Sequence, residues 1–116
     1  MALTILIVLI IAVVIDSIYK QRAYKNIVAD YDKSLSIDPD DTIALNNKGT
    51  SLAEFIDHRK EALECFNKIL EIDPNDAAAL HNKGIVLDKM GKHQEALKYY
   101  DKALKLDPRF KKGKKL

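Results

Sequence analysis

The chain has 116 residues and a formal net charge of +2, enough for one small domain and too little charge to argue for a nucleic-acid partner. Arg109, Lys111, Lys112, Lys114 and Lys115 concentrate positive charge at the C-terminus, so the rest of the chain is mildly acidic. A single cysteine, Cys65, excludes an intrachain disulfide and a cysteine metal cluster.

The opening stretch, "MALTILIVLIIAVVI" (1–15), has no charged side chain, and eleven of its residues are Leu, Ile or Val. Near a bilayer centre these favour insertion by roughly 3–6 kcal/mol. Residues 2–15 make ~21 Å of helix; carried through Ser17 and Ile18 to Tyr19, the run reaches ~27 Å, close to the ~30 Å of a hydrocarbon core. Asp16 then lies near an interface, with Tyr19 and Tyr24 at headgroup depth. A cleaved signal peptide would have a basic start and a small-x-small exit, and neither is present. A helix buried in an oligomer core also fits so short a run. The expectation taken forward for residues 1–19 is a membrane anchor. Lys20, Arg22, Lys25 and Lys33 follow the span and only the terminal amine precedes it, which implies a single pass with the N-terminus outside and the body in the cytoplasm.

Residues 2–36 contain neither Gly nor Pro, and Tyr19, Ala23, Ile27, Tyr31 and Leu35 recur every four positions. This predicts one helix of about 35 residues, ~52 Å long. Its second half, 20–38, is expected to pack on a helix at 44–55. The alternative is a bend at Gln21 and Arg22, giving an extra hairpin.

All three prolines follow an aspartate: Pro39, Pro74 and Pro108 are separated by 35 and 34 residues. Periods of this size mark repeat arrays. Aligned on the prolines, "ALNNKGTSL" (44–52) matches "ALHNKGIVL" (79–87), and "KEALECFNKILEIDP" (60–74) matches "QEALKYYDKALKLDP" (94–108). Each unit therefore holds two stretches with helical apolar spacing. Gly91 in "DKMGKHQ" marks the turn of the second unit; "AEFIDHRK" in the first is one residue longer, hence 35 against 34. Proline ends one helix and a nearby Asp or Asn caps the next. A calcium loop would need a Gly and a terminal Glu that "DPDD" lacks.

With these residues in register, the sequence resembles the tetratricopeptide repeat family. Leu45, Gly49, Leu52, Ala62, Phe66 and Pro74 carry its pattern in one unit; Leu80, Gly84, Leu87, Ala96, Tyr100 and Pro108 carry it in the next. Lys48 and Lys83 stand where the family usually has Leu. The resemblance implies an all-α fold, a solenoid of antiparallel helix hairpins. About two and a half units are expected, two of them complete at 42–76 and 77–108 within 42–108. It also implies that Gly49 and Gly84 let the helices approach, facing Ala62 and Ala96, with Phe66 and Tyr100 between hairpins. Family ligands lie in the groove lined by the first helix of each hairpin. That nominates Asn46, Thr50, Ala53 and Glu54, with His81, Ile85, Asp88 and Lys89. Asn47 and Asn82 are expected to bond neighbouring backbone. The groove lacks the several Lys and Arg with which some members clamp a terminal carboxylate.

Leu97, Leu104 and Phe110 are expected to be left partly uncovered at an open repeat edge, where a second copy or another protein would sit. His58, His81 and His93 have no metal-ligand spacing, Cys65 reads as packed, and no nucleophile context is present, so neither an enzyme nor a cofactor is expected. No small-molecule ligand and no nucleic acid is expected either. The basic tail, 109–116, reads as a solvated end, with anionic lipid as its alternative contact. Together these readings imply a membrane-anchored protein-interaction module, a scaffold or accessory subunit. The alternatives are a self-assembling structural protein and a chain that stabilises a membrane enzyme through its transmembrane helix.

Overall fold

Nothing between Ala2 and Ile37 interrupts the helical hydrogen-bond ladder. In the computed structural model, which describes residues 1–110, that stretch is one 36-residue helix, α1 (Ala2–Ile37), ~54 Å long. The bend at Gln21 and Arg22 does not occur. Lys111, Lys112, Lys114 and Lys115 of the basic tail lie outside the described residues.

Residues 1–23 are exposed throughout, and α1 meets the rest of the molecule only beyond them. Tyr24, Val28 and Leu35 pack on the core, with Ile27 and Tyr31 half-buried beside them. The contact stripe keeps Ile27, Tyr31 and Leu35 of the four-residue beat read in the sequence and adds Tyr24 and Val28 beside them. Tyr19 and Ala23 lie outside it, in the part of α1 that runs clear of the repeats.

After α1 come α2 (Thr42–Ala53), a short 3-10 helix (Ile56–His58), α3 (Arg59–Ile72), α4 (Ala77–Lys89) and α5 (His93–Leu106). There is no strand among the described residues. α2 with α3 and α4 with α5 form hairpins; α3 packs on α4, and α1 packs on α2 in the same manner. The fold is the all-α stack of repeats that the sequence implied.

The Asp-Pro steps make the same turn three times. The carboxylates of Asp38, Asp73 and Asp107 accept from the backbone N–H two residues on, at 3.1, 3.0 and 3.0 Å. The next helix is then capped where the sequence provides for it. Asp41 accepts from the N–H groups of Ile43 and Ala44, and Asp76 from that of Ala79. In the third turn Phe110 holds the cap position. It is buried against Leu80 and Ala103 rather than left open, so the expected exposure there is corrected. Leu104 stays exposed and Leu97 half-exposed.

Leu45, Leu52, Ala62, Leu80, Leu87 and Ala96 are buried as their pattern implied. The glycines let the two helices of each hairpin approach, as the resemblance implied, but the residue they face is another. A Cβ on Gly49 would come 2.7 Å from the Phe66 ring, and one on Gly84 would come 2.7 Å from the Tyr100 ring. Each glycine thus makes room for the aromatic of its own hairpin, not for Ala62 or Ala96. Phe66 fills its own hairpin and also reaches the next, sharing a core cluster with Ala79 and Val86 of α4, while Tyr100 packs with Leu87 and Ala96 of its own hairpin. The hairpin turns also differ: Gly91 takes φ +81 in the second, while the first uses the 3-10 helix and no left-handed residue.

Candidate functional site

α2 and α4 lie side by side, and between them runs an open cleft of about 330 Å³. It is lined by Asn46, Asn47, Thr50, Ala53 and Glu54 from one helix and by Asn82, Ile85, Val86 and Lys89 from the other, with Phe66 at the base. At one end the Asn82 amide donates to the Asn46 side-chain carbonyl at 2.7 Å. Two helical turns away, ~12 Å, the Lys89 ammonium meets the Glu54 carboxylate at 3.2 Å. Thr50 lies between them and donates its hydroxyl to the Asn47 carbonyl. The cleft thus offers amide donors and acceptors and one ion pair around a small apolar floor. Those are groups that hydrogen-bond a peptide backbone.

Asn46, Thr50, Ala53, Glu54, Ile85 and Lys89 line this cleft together. His81 and Asp88 do not. His81 is 1% exposed, its ring 5.4 Å from that of Tyr100 and 5.1 Å from that of Phe110. Its counterpart one repeat earlier is Asn46, which reaches a side chain of the next hairpin; beyond α5 no such helix is described, and Phe110 folds against His81 instead. Asp88 points into its own hairpin, accepting from the Tyr100 hydroxyl at 2.8 Å and pairing with His93. Burial, and then that carboxylate, push the Tyr100 hydroxyl above its ordinary range. Asn82 donates to Asn46 across the hairpins, which corrects the backbone reading for Asn82. Cys65 is buried, and loss of solvent raises its thiol pKa, so it is a packing residue. Among the described residues no group of three or more His, Cys, Asp or Glu side chains is placed to hold a metal ion.

A second polar cluster fixes α1 to the array. The Tyr24 ring stacks on His58 at 3.6 Å, meets Phe55 edge-on, and donates its hydroxyl to the Glu61 carboxylate at 3.0 Å. His58 Nδ1 is 2.9 Å from the same carboxylate. That hydrogen bond, ahead of the one from Tyr24, lowers the Glu61 pKa. Burial, and then Glu61, raise that of Tyr24. Lys48 and Asp32 add an ion pair between α2 and α1 at 2.6 Å. Arg59 joins the hairpins: its guanidinium donates to the carbonyls of Ala53 and Lys89, at the C-terminal ends of α2 and α4. Sequence periodicity had marked none of Tyr24, His58 or Arg59 as structural, since each side chain works across elements far apart in the chain.

Family models of the tetratricopeptide repeat match residues 43–76 and 77–110, more than half of the chain. The crystal structure of YrrB, described as a TPR protein with an unusual peptide-binding site, is similar over 78% of this chain and 46% of its own, at 28% identity and a TM-score of 0.67. This chain therefore spans under half of that protein's length. The crystal structure of MamA is similar over 78% of this chain and 74% of its own, at 23% identity and a TM-score of 0.46. Comparison with curated protein sequences gave no match. The hairpin stack, the Gly49–Phe66 and Gly84–Tyr100 pairs and the two matched repeats make one case, and the chain belongs to the tetratricopeptide repeat family, whose repeats are protein–protein interaction modules.

Proposed function

We propose that this chain is a membrane-anchored adaptor. Residues 2–19 of α1 cross the bilayer once with the N-terminus outside, and the repeats stand in the cytoplasm and offer the α2–α4 cleft to a segment of a protein partner. The observation that carries this reading is the division of α1: its exposed, almost wholly apolar first half continues without a break into a second half held on a protein-binding array. The amide pair and ion pair of the cleft suit an extended peptide. The peptide-binding site described for YrrB, a structural relative, supports that choice of occupant. No catalytic step is proposed.

A second reading, self-association, is favoured by one observation, the exposed Leu104 and half-exposed Leu97 on the outer face of α5. One experiment separates the two: gentle solubilisation of native membranes, capture of the full chain, and identification of what co-purifies at comparable stoichiometry. The comparison is a variant with Asn46→Ala, Thr50→Ala and Lys89→Ala, whose fold is checked by its melting curve. A distinct protein lost with the cleft variant establishes the adaptor. Recovery of further copies of this chain alone, with or without the cleft residues, overturns it in favour of self-assembly.

A further inference from the structure

Resting on the anchoring reading, we propose a further contact. The edge of the array made by the two hairpin turns, residues 55–60 and 89–93, lies against the anionic headgroups of the bilayer that α1 crosses. Depth is the first argument. Tyr24, five residues beyond the end of the apolar stretch at Tyr19, stacks on His58 and touches Phe55. Five residues of helix are ~7.5 Å, and the headgroup layer on each side of the hydrocarbon is about 5–8 Å thick. The first turn therefore sits at headgroup depth. The second turn shares that edge, because Arg59 at the start of α3 bonds the Lys89 carbonyl at 3.0 Å. Ile56, Lys60, Lys89 and Met90 line one surface depression there.

Charge is the second argument. Lys20, Arg22 and Lys25 on α1 and Lys60 and Lys92 on the turns are all exposed at this end. Against them stand Asp57 and Glu95, both exposed, with Asp16 paired to Lys20, Glu54 to Lys89, Glu61 to His58 and Asp88 to His93. The opposite edge, made by the Asp-Pro turns, carries Asp38, Asp40, Asp41, Asp73, Asp76 and Asp107, the last paired with Arg109. Among the described residues the array thus turns the more basic of its two edges toward the bilayer and the more acidic one away, as an anionic surface requires. Ile56 is 76% exposed at the tip of the basic edge. Ile37 and Ile43 at the other edge are exposed to a similar degree, 83% and 73%, so exposure alone does not single out Ile56; its depth beside Tyr24 does.

The chain contains no tryptophan, so Ile10→Trp, Ile56→Trp and Asn75→Trp each create a sole probe in the full-length protein. Each is placed in bilayers of phosphatidylcholine brominated in the acyl chains, with added phosphatidylserine. The expected result is strong quenching at position 10, partial quenching with blue-shifted emission at 56, and solvent-like emission at 75. If position 10 is quenched while 56 behaves like 75, the edge contact is overturned and the anchor stands. If position 10 is not quenched, the anchor falls and the edge contact with it. Tryptophan itself favours interfaces, so hydrogen exchange of the unaltered chain is the companion measurement. Exchange across 55–60 and 89–93 is expected to slow when phosphatidylserine is included. Exchange indifferent to lipid charge overturns the proposal whatever the tryptophan reads.

Discussion

The two hairpins share one plan and differ in how they are closed. In the first, Phe66 is 0% exposed over Gly49, and Ala53 is buried nearby on α2. In the second, Tyr100 takes the place of Phe66 and Asp88 that of Ala53, with the Tyr100 hydroxyl donating to the Asp88 carboxylate at 2.8 Å. A ring that brings a hydroxyl into the hairpin needs an acceptor there, and the sequence changes at both positions together. The first hairpin is also flanked by helices on both sides, α1 and α4, whereas among the described residues the second has α3 on one side and only Phe110 on the other. The Tyr100 hydroxyl enters its hairpin together with an acceptor.

Phe66→Ala should break the doubly flanked hairpin hardest, by about 3–5 kcal/mol, read as a lowered urea midpoint. Phe110→Ala at the singly flanked end should cost less. Equal losses would mean the two ends are not packed differently. Gly49→Ala and Gly84→Ala come next, roughly 1–3 kcal/mol each, because the facing ring must shift. Gly49→Ala should be the worse of the two, since Phe66 has neighbours on both sides. A melting temperature unchanged by either substitution would contradict the close approach of glycine and ring. Smallest is Tyr100→Phe, about 1 kcal/mol for one hydrogen bond. Its signature is pH dependence. The neutral phenol is favoured in the folded chain, so its contribution is intact below the ordinary tyrosine value near 10 and is lost as pH rises beyond it. Tyr24 shifts in the same direction for a related reason. Tyr100→Phe should therefore blunt, and not abolish, the loss of stability between neutral and alkaline buffer. An unaltered alkaline profile would deny Asp88 its role.

The repeat was legible because its signals are local. An aspartate before each proline, a glycine at fixed distance and an apolar beat within each helix are all set by short-range geometry. So was the unbroken course of α1, which lacks any helix breaker. What escaped depends on how helices cross. His81 and Asp88 share the spacing of cleft residues, and spacing alone cannot separate a polar side chain facing the groove from one turned toward a neighbouring helix. The pairing of Gly84 with Tyr100, rather than Ala96, likewise rests on the crossing of α4 and α5. That the α1 stripe begins at Tyr24 and takes in Val28 depends on where α1 meets α2, which the apolar beat alone does not specify. Phe110 escaped because it stands where the two preceding units have a capping aspartate, a position with no apolar precedent in the chain.

Arg59 has a thermodynamic consequence. One guanidinium bonds a carbonyl of its own hairpin and a carbonyl of the next. Its counterpart one unit later, His93, stays within its own hairpin on Asp88. In a linear array, stability divides into a contribution from each unit and a coupling between neighbours, and the coupling decides whether units melt singly or jointly. Arg59 adds to that coupling at the junction where the two complete hairpins among the described residues meet. The cleft draws on α2 and α4 alike, so it exists only while both hairpins are formed. Binding there would report the array as a single cooperative body, and a partner would stabilise both units at once.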